Sequence, residues 1–222
     1  VKELALIISK EWRNFTGSEK GVFVVYGIII FVWSFLPLYN DVGSFALNGT
    51  VWWLFFSVIV SGNFANSVFV SERLNGSMEI LLSSGFSRSG VLYGKILFVV
   101  LMSIVIGGLC FALSFLWIVC SSQLYLFMGR SLAMSGLLYC CGTLLNASAG
   151  AWMSIRLSSP RLIPFVNILI IGLVCGVYYA LHFAAPVSEW FLIVLLLVCA
   201  VVFLLLAKKD FNGEQVIAPV DV

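Results

Sequence analysis

Apolar residues run along the chain in six long stretches, Gly21–Tyr39, Val51–Val70, Ile96–Ser121, Ser131–Ile155, Leu162–His182 and Trp190–Ala207. None contains an internal Asp, Glu, Lys or Arg. A helix of about 20 mostly apolar residues crosses the roughly 30 Å hydrocarbon core of a bilayer. A single charge near its centre costs about 2.5–3.5 kcal/mol on insertion scales. The pattern therefore predicts six transmembrane helices. Pro164 stands in the first turn of the fifth stretch, which makes its bounds the least defined of the six. Residues Tyr178 to Glu189 leave two readings open, a continuous fifth helix or a short external helix folding back.

Two segments carry a different period. Within residues 1–18, Leu4, Ile7, Ile8, Trp12 and Phe15 recur at helical spacing, with Lys2, Lys10 and Arg13 largely on the rest of the wheel. That is the pattern of a helix lying in the membrane interface. In the 71–95 segment, Leu74, Met78, Leu81 and Leu82 form one apolar stripe while Glu72, Ser77 and Glu79 stay polar, and Gly85 ends the pattern. A short amphipathic helix is expected there, at the surface of the bundle. The first long apolar run begins only at Gly21, so the amino-terminal segment reads as retained and structural rather than as a leader peptide.

Composition reinforces the pattern: 62% of the residues are hydrophobic and 10% charged, against about 25% charged in ordinary soluble domains. The expected fold class is an all-α integral membrane protein forming one domain over residues 1–222, with 208–222 as a tail. Eleven of the twelve Lys and Arg residues fall in the amino-terminal segment, the 71–95 loop, the connection holding Arg156 and Arg161, and the tail. The other side has Arg130 alone. The basic side is expected to be cytoplasmic, with both termini there. Trp33, Trp52, Trp53, Trp117 and Trp190 mark the outer boundary on this reading, and Trp12 and Trp152 the inner one. The basic residues are scattered along membrane edges rather than gathered into a patch, which argues against nucleic acid.

Catalytic constellations are not evident. His182 is the sole histidine, at the outer end of the fifth stretch, and reads as an interfacial or packing residue. Gly90-Val91-Leu92-Tyr93-Gly94-Lys95 has the wrong glycine spacing for a phosphate-binding loop and is followed by Ile96. The six cysteines show no metal or redox spacing and read as small buried hydrophobes. Polar residues inside the spans are costly and face a bundle interior or a cavity. Asn63 and Asn66 in the second span, Asn146 in the fourth and Asn167 in the fifth are therefore candidates for a substrate path, with interhelical hydrogen bonding as the alternative. The small-residue run Ala147–Ala151 permits close helix approach.

The stretch from Glu72-Arg73 through Gly76-Ser77-Met78-Glu79-Ile80-Leu81-Leu82, Ser87-Arg88-Ser89 and Gly94-Lys95 resembles the permease subunits of type 2 ABC exporters. The layout, an amphipathic amino-terminal helix, six spans and a cytoplasmic loop after the second, is similar as well. The chain departs from the family pattern at Ser84-Gly85, where proline is common, and in the shortness of its external segment before the sixth span. The resemblance implies a coupling helix, with Glu72, Arg73, Leu74, Gly76, Ser77, Met78, Glu79, Ile80, Leu81 and Leu82 as the residues that dock into a separate ATPase subunit. It implies two ATPase copies and a second permease subunit as partners, beside membrane lipids. No cofactor is expected on this chain, with ATP and Mg held by the ATPase, and the expected home is a bacterial inner membrane. The other readings are a membrane anchor or assembly scaffold, and a secondary transporter. Ion-coupled transport usually shows intramembrane carboxylates or broken helices in two repeats, and neither is visible here.

Overall fold

The computed structural model describes residues 2–17, 20–35, 49–70, 72, 77–83, 85–120, 129–157, 162–185 and 187–211. The described residues are helical apart from short turns. In chain order they form α1 (Lys2–Thr16), α2 (Lys20–Ser34), α3 (Gly49–Ala65) and α4 (Ser77–Ser83), then α5 (Arg88–Cys120), α6 (Gly129–Arg156), α7 (Leu162–Ala184) and α8 (Glu189–Phe211). A π turn, Asn66–Val70, continues α3.

Four helical segments are long and apolar enough to cross a membrane: Trp53–Val70, Arg88–Trp117, Phe165–Ala184 and Glu189–Phe211. The chain is on that ground an α-helical integral membrane protein. The apolar part of α2, Val24–Ser34, is shorter, and the rest of the first predicted span, 36–39, lies outside the described residues. The 28-residue α6 is more polar than its neighbours because Ser, Thr, Asn and Gly recur along it. It occupies the middle of the bundle, between α3 and α8.

Contacts fix the direction of each helix. Gly142 of α6 faces Ser57 of α3 and Gly150 faces Ala65, so α3 and α6 run parallel. Cys110 and Ser114 of α5 reach the carbonyls of Ile30 and Ser34, so α2 and α5 run parallel too. Trp53 stacks on Phe111 while the Val68 carbonyl meets Lys95, which makes α3 antiparallel to α5. The α3–α6 approach is very close: a methyl added at Gly150 would lie 2.7 Å from the Ala65 Cβ. On the α6 side both crossing points are glycines, which lets the α3 side chains Ser57 and Ala65 pack against bare backbone, as close packing of membrane helices through small residues requires.

The core is continuous but chemically layered. Trp33, Trp53, Phe56, Phe111 and Tyr139 form an aromatic cluster between α2, α3, α5 and α6. The Tyr139 hydroxyl donates to the Ser103 carbonyl at 2.6 Å. Buried serines and threonines turn back onto their own helices, as Ser57 to Leu54, Thr143 to Cys140 and Ser154 to Ala151, which satisfies hydroxyls that water cannot reach. Broad aliphatic faces of α2, α5, α7 and α8 stay uncovered, including Val24, Ile28, Leu109, Leu169, Leu173 and Val201. Such faces suit lipid.

Two details differ from or refine the sequence reading. The fifth predicted span forms α7, which runs unbroken to Ala184, with His182 Nδ1 2.9 Å from the Val187 carbonyl just before α8 and its ring stacked on Tyr178. The external fold-back helix is thereby excluded. Cys110, Cys141 and Cys175 are buried, but Cys120 and Cys140 are exposed on the outside of the bundle, because 3.6-residue periodicity carries them past the packed face.

Candidate functional site, a buried charge cluster where three helices meet

α1 lies along the first turns of α5. Glu3 Oε2 accepts from Ser87 Oγ at 2.7 Å, and Ile7 sits over Gly94, where any side chain would collide with it. Ile7 is buried, Ile8 and Phe15 pack on the core, while Leu6 and Trp12 are exposed, so α1 has one protein face and apolar residues left over for a membrane surface. At 33 residues α5 is about 50 Å long, more than a bilayer core needs. Its surplus is the Arg88–Lys95 portion gripped by α1.

Lys95 closes this junction. It is fully buried, and its ammonium uses all three donors: Glu11 Oε1 at 2.8 Å, Glu72 Oε2 at 2.5 Å and the Val68 carbonyl at 2.9 Å. Lys10 reaches the other oxygen of Glu72 at 2.5 Å and lies 3.6 Å from Glu11 Oε1. Two lysines and two carboxylates balance, which is the condition for keeping charge out of water. The Val68 carbonyl comes from the π turn, whose widened ladder occurs mostly as a single turn and frequently at functional positions. The Phe69 ring lies 5.8 Å from the ammonium, within cation–π range. α1, the end of α3 and the start of α5 are thus pinned to one point.

Burial raises the Glu72 carboxyl, but Lys95 beside it and the Lys10 bond outweigh that and hold it below its ordinary 4.5. A carboxylate with a lowered folded pKa stabilises the fold above its unfolded pKa, and that contribution is lost as pH falls through the folded one. Melting followed from about pH 7 down to pH 3 should therefore show a loss beginning below 4.5 that is shallower in Glu72→Gln. Identical profiles would show that the ion pair contributes nothing to acid sensitivity.

Beside the cluster, α4 packs against the same end of the bundle. Met78 and Leu81 are buried in the main core, and Ile80, 70% exposed, points away from it. Of the predicted docking stripe, Met78 and Leu81 are therefore covered by the chain's own helices, and Ile80 is the outward apolar residue. Arg73, Leu74 and Gly76 lie outside the described residues, as do the side chains of Ser77, Glu79 and Leu82. Gly85 follows with φ +86, a left-handed conformation that stops the helix and returns the chain to α5.

A second ionic contact ties the carboxyl end of the bundle. Asp210 accepts from Arg156 Nε at 2.7 Å, Arg156 Nη2 at 3.2 Å and Trp152 Nε1 at 3.0 Å. It joins the ends of α6 and α8.

The four asparagines separate. Asn63 is exposed on the bundle surface and its amide returns to the Ile59 carbonyl at 2.8 Å. Asn146 is buried, donating to Ser57 Oγ and the Gly142 carbonyl. Asn66 is half-buried, and Asn167 is fully buried opposite Gly62.

Comparison with protein-family models, curated proteins and solved structures gives no match for this chain.

Proposed function

We propose that this chain is the membrane-spanning permease subunit of a type 2 ABC exporter, with six transmembrane helices and both termini on the cytoplasmic side of a bacterial inner membrane. Two such permease subunits would work with two ATPase subunits that hold ATP and Mg, and the permease itself would carry no catalytic site. The observation that supports this reading most is the junction of α1, the end of α3 and the start of α5, with α4 following it in sequence. A short helix is seated on the bundle by Met78 and Leu81, presents Ile80 outward, and adjoins a charge cluster that fastens three elements together. A partner that grips α4 could displace these elements as one body, and a ligand shifts a conformational balance only through contacts that differ between states. Lys10, Lys95, Arg156, Lys208 and Lys209 stand at the junction end or on helix ends running to it, as a cytoplasmic face requires.

A photo-reactive group placed at Ile80→Cys, in a background without the native cysteines, tests the assignment in native membranes. The expected product is this chain linked to a soluble ATPase subunit. Recovery of lipid adducts alone would refute docking at α4.

A further inference from the structure

Inside the seam between α3 and α7, polar atoms are left without partners. Asn167 is fully buried and, among the described residues, neither its Nδ2 nor its Oδ1 has a hydrogen-bond partner; Asn66 Oδ1, one helical turn after Gly62 in sequence, is likewise buried without one. In hydrocarbon surroundings a bare amide costs several kcal/mol, and buried polar atoms are almost always satisfied by protein or by something bound. Gly62 shows that there is room. It is buried, yet among the described residues a methyl added there would meet the Asn167 amide nitrogen alone, at 3.4 Å, whereas methyls at Gly142 and Gly150 would collide with neighbours at 2.4 and 2.7 Å. The latter two glycines let helices touch. Gly62 leaves a notch.

We infer that the Gly62–Asn167 notch is a binding site for a small neutral group that both donates and accepts hydrogen bonds, either water or a hydroxyl carried by a lipid. Charge does not suit it: the site offers the amide nitrogen and amide oxygen of Asn167, and among the described residues no ionic side chain bonds to either. The Asn167 amide, unpaired at both its nitrogen and its oxygen, supplies the two polar partners that a buried water needs at the least. The inference is independent of the transport assignment, since any membrane bundle with this seam would bind the same group.

Cysteine reactivity in the full-length protein, with native cysteines replaced by alanine, tests it. Thiols react as thiolates, which form where water or a polar group is present. Asn167→Cys should react with a small water-soluble thiosulfonate roughly tenfold or more faster than Leu169→Cys on the outer face, and adding Gly62→Ala should remove most of that difference. Equal rates in lipid nanodiscs and in delipidated detergent identify water; a rate that rises on delipidation identifies a lipid hydroxyl. If Asn167→Cys is as slow as Leu169→Cys, or Gly62→Ala has no effect, the notch is empty. Should the cysteine variant fail to insert, Asn167→Leu decides: a lower melting temperature is expected when a bound group is lost, and a higher one, from removing a bare amide, overturns the site.

Discussion

Lys95→Met should be among the most damaging single substitutions in this protein. Methionine matches the length of the lysine stem but leaves Glu11 and Glu72 buried with only the half-exposed Lys10 nearby, and removes the ammonium's bond to the Val68 carbonyl. Removing one partner of a buried ion pair costs about 3–5 kcal/mol, because the orphaned charge remains. For a chain of this size that corresponds to roughly 10 °C or more in melting temperature. The combination Lys95→Met, Glu11→Gln and Glu72→Gln should recover much of the loss, since replacing a whole buried charge group by neutral residues is often tolerated. Equal melting of Lys95→Met and the parent protein would show that the cluster is not buried as described.

Ile80→Asp and Leu81→Ala should part company although they are neighbours. Ile80 is outward and makes no core contact, so the aspartate should leave melting within about 0.5 kcal/mol of the parent. It places a charge at the centre of the proposed docking face, where the loss of an anchoring residue costs 2 kcal/mol or more, or roughly a 30-fold loss of ATPase association. Leu81 is buried in the core, and alanine there should cost about 2–5 kcal/mol of fold stability. Its effect on association should follow the fraction of protein still folded. The reverse outcome, with Leu81→Ala losing the partner at full stability, would mean that α4 turns its inner face outward to dock.

Four helices were legible because their stretches are apolar over a bilayer's thickness. The predicted Leu162–His182 span and the helix Leu162–Ala184 differ by two residues. The third predicted span began at Ile96, but its helix starts at Arg88, because the hydropathy signal marks lipid and not the end of hydrogen bonding. The charge cluster was half visible. Glu72 reads from sequence as a docking residue and Lys95 as a cytoplasmic positive charge within the resemblance, but nothing there pairs the two or points to Glu11. Glu11 sits among the apolar positions of α1, four residues after Ile7 and four before Phe15, and Lys95 follows Val91 and Leu92 on the buried face of α5. A charged residue inside an apolar helical stripe is the signal that two such stripes supply each other's counter-charge; neither alone names its partner. Asn63 and Asn167 look alike in sequence, each an amide in an apolar run. Only the packing shows that one faces outward and the other stands buried and unpaired.

The most direct test of the transport assignment is purification of the tagged chain from its native membrane in mild detergent, followed by measurement of ATP hydrolysis by whatever assembly is recovered. The account predicts that an ATPase subunit co-purifies and hydrolyses ATP, and that Ile80→Asp, fully folded, is recovered without it. A wild-type chain that purifies free of any ATPase, with no hydrolysis, under conditions that preserve its melting behaviour, would contradict the account.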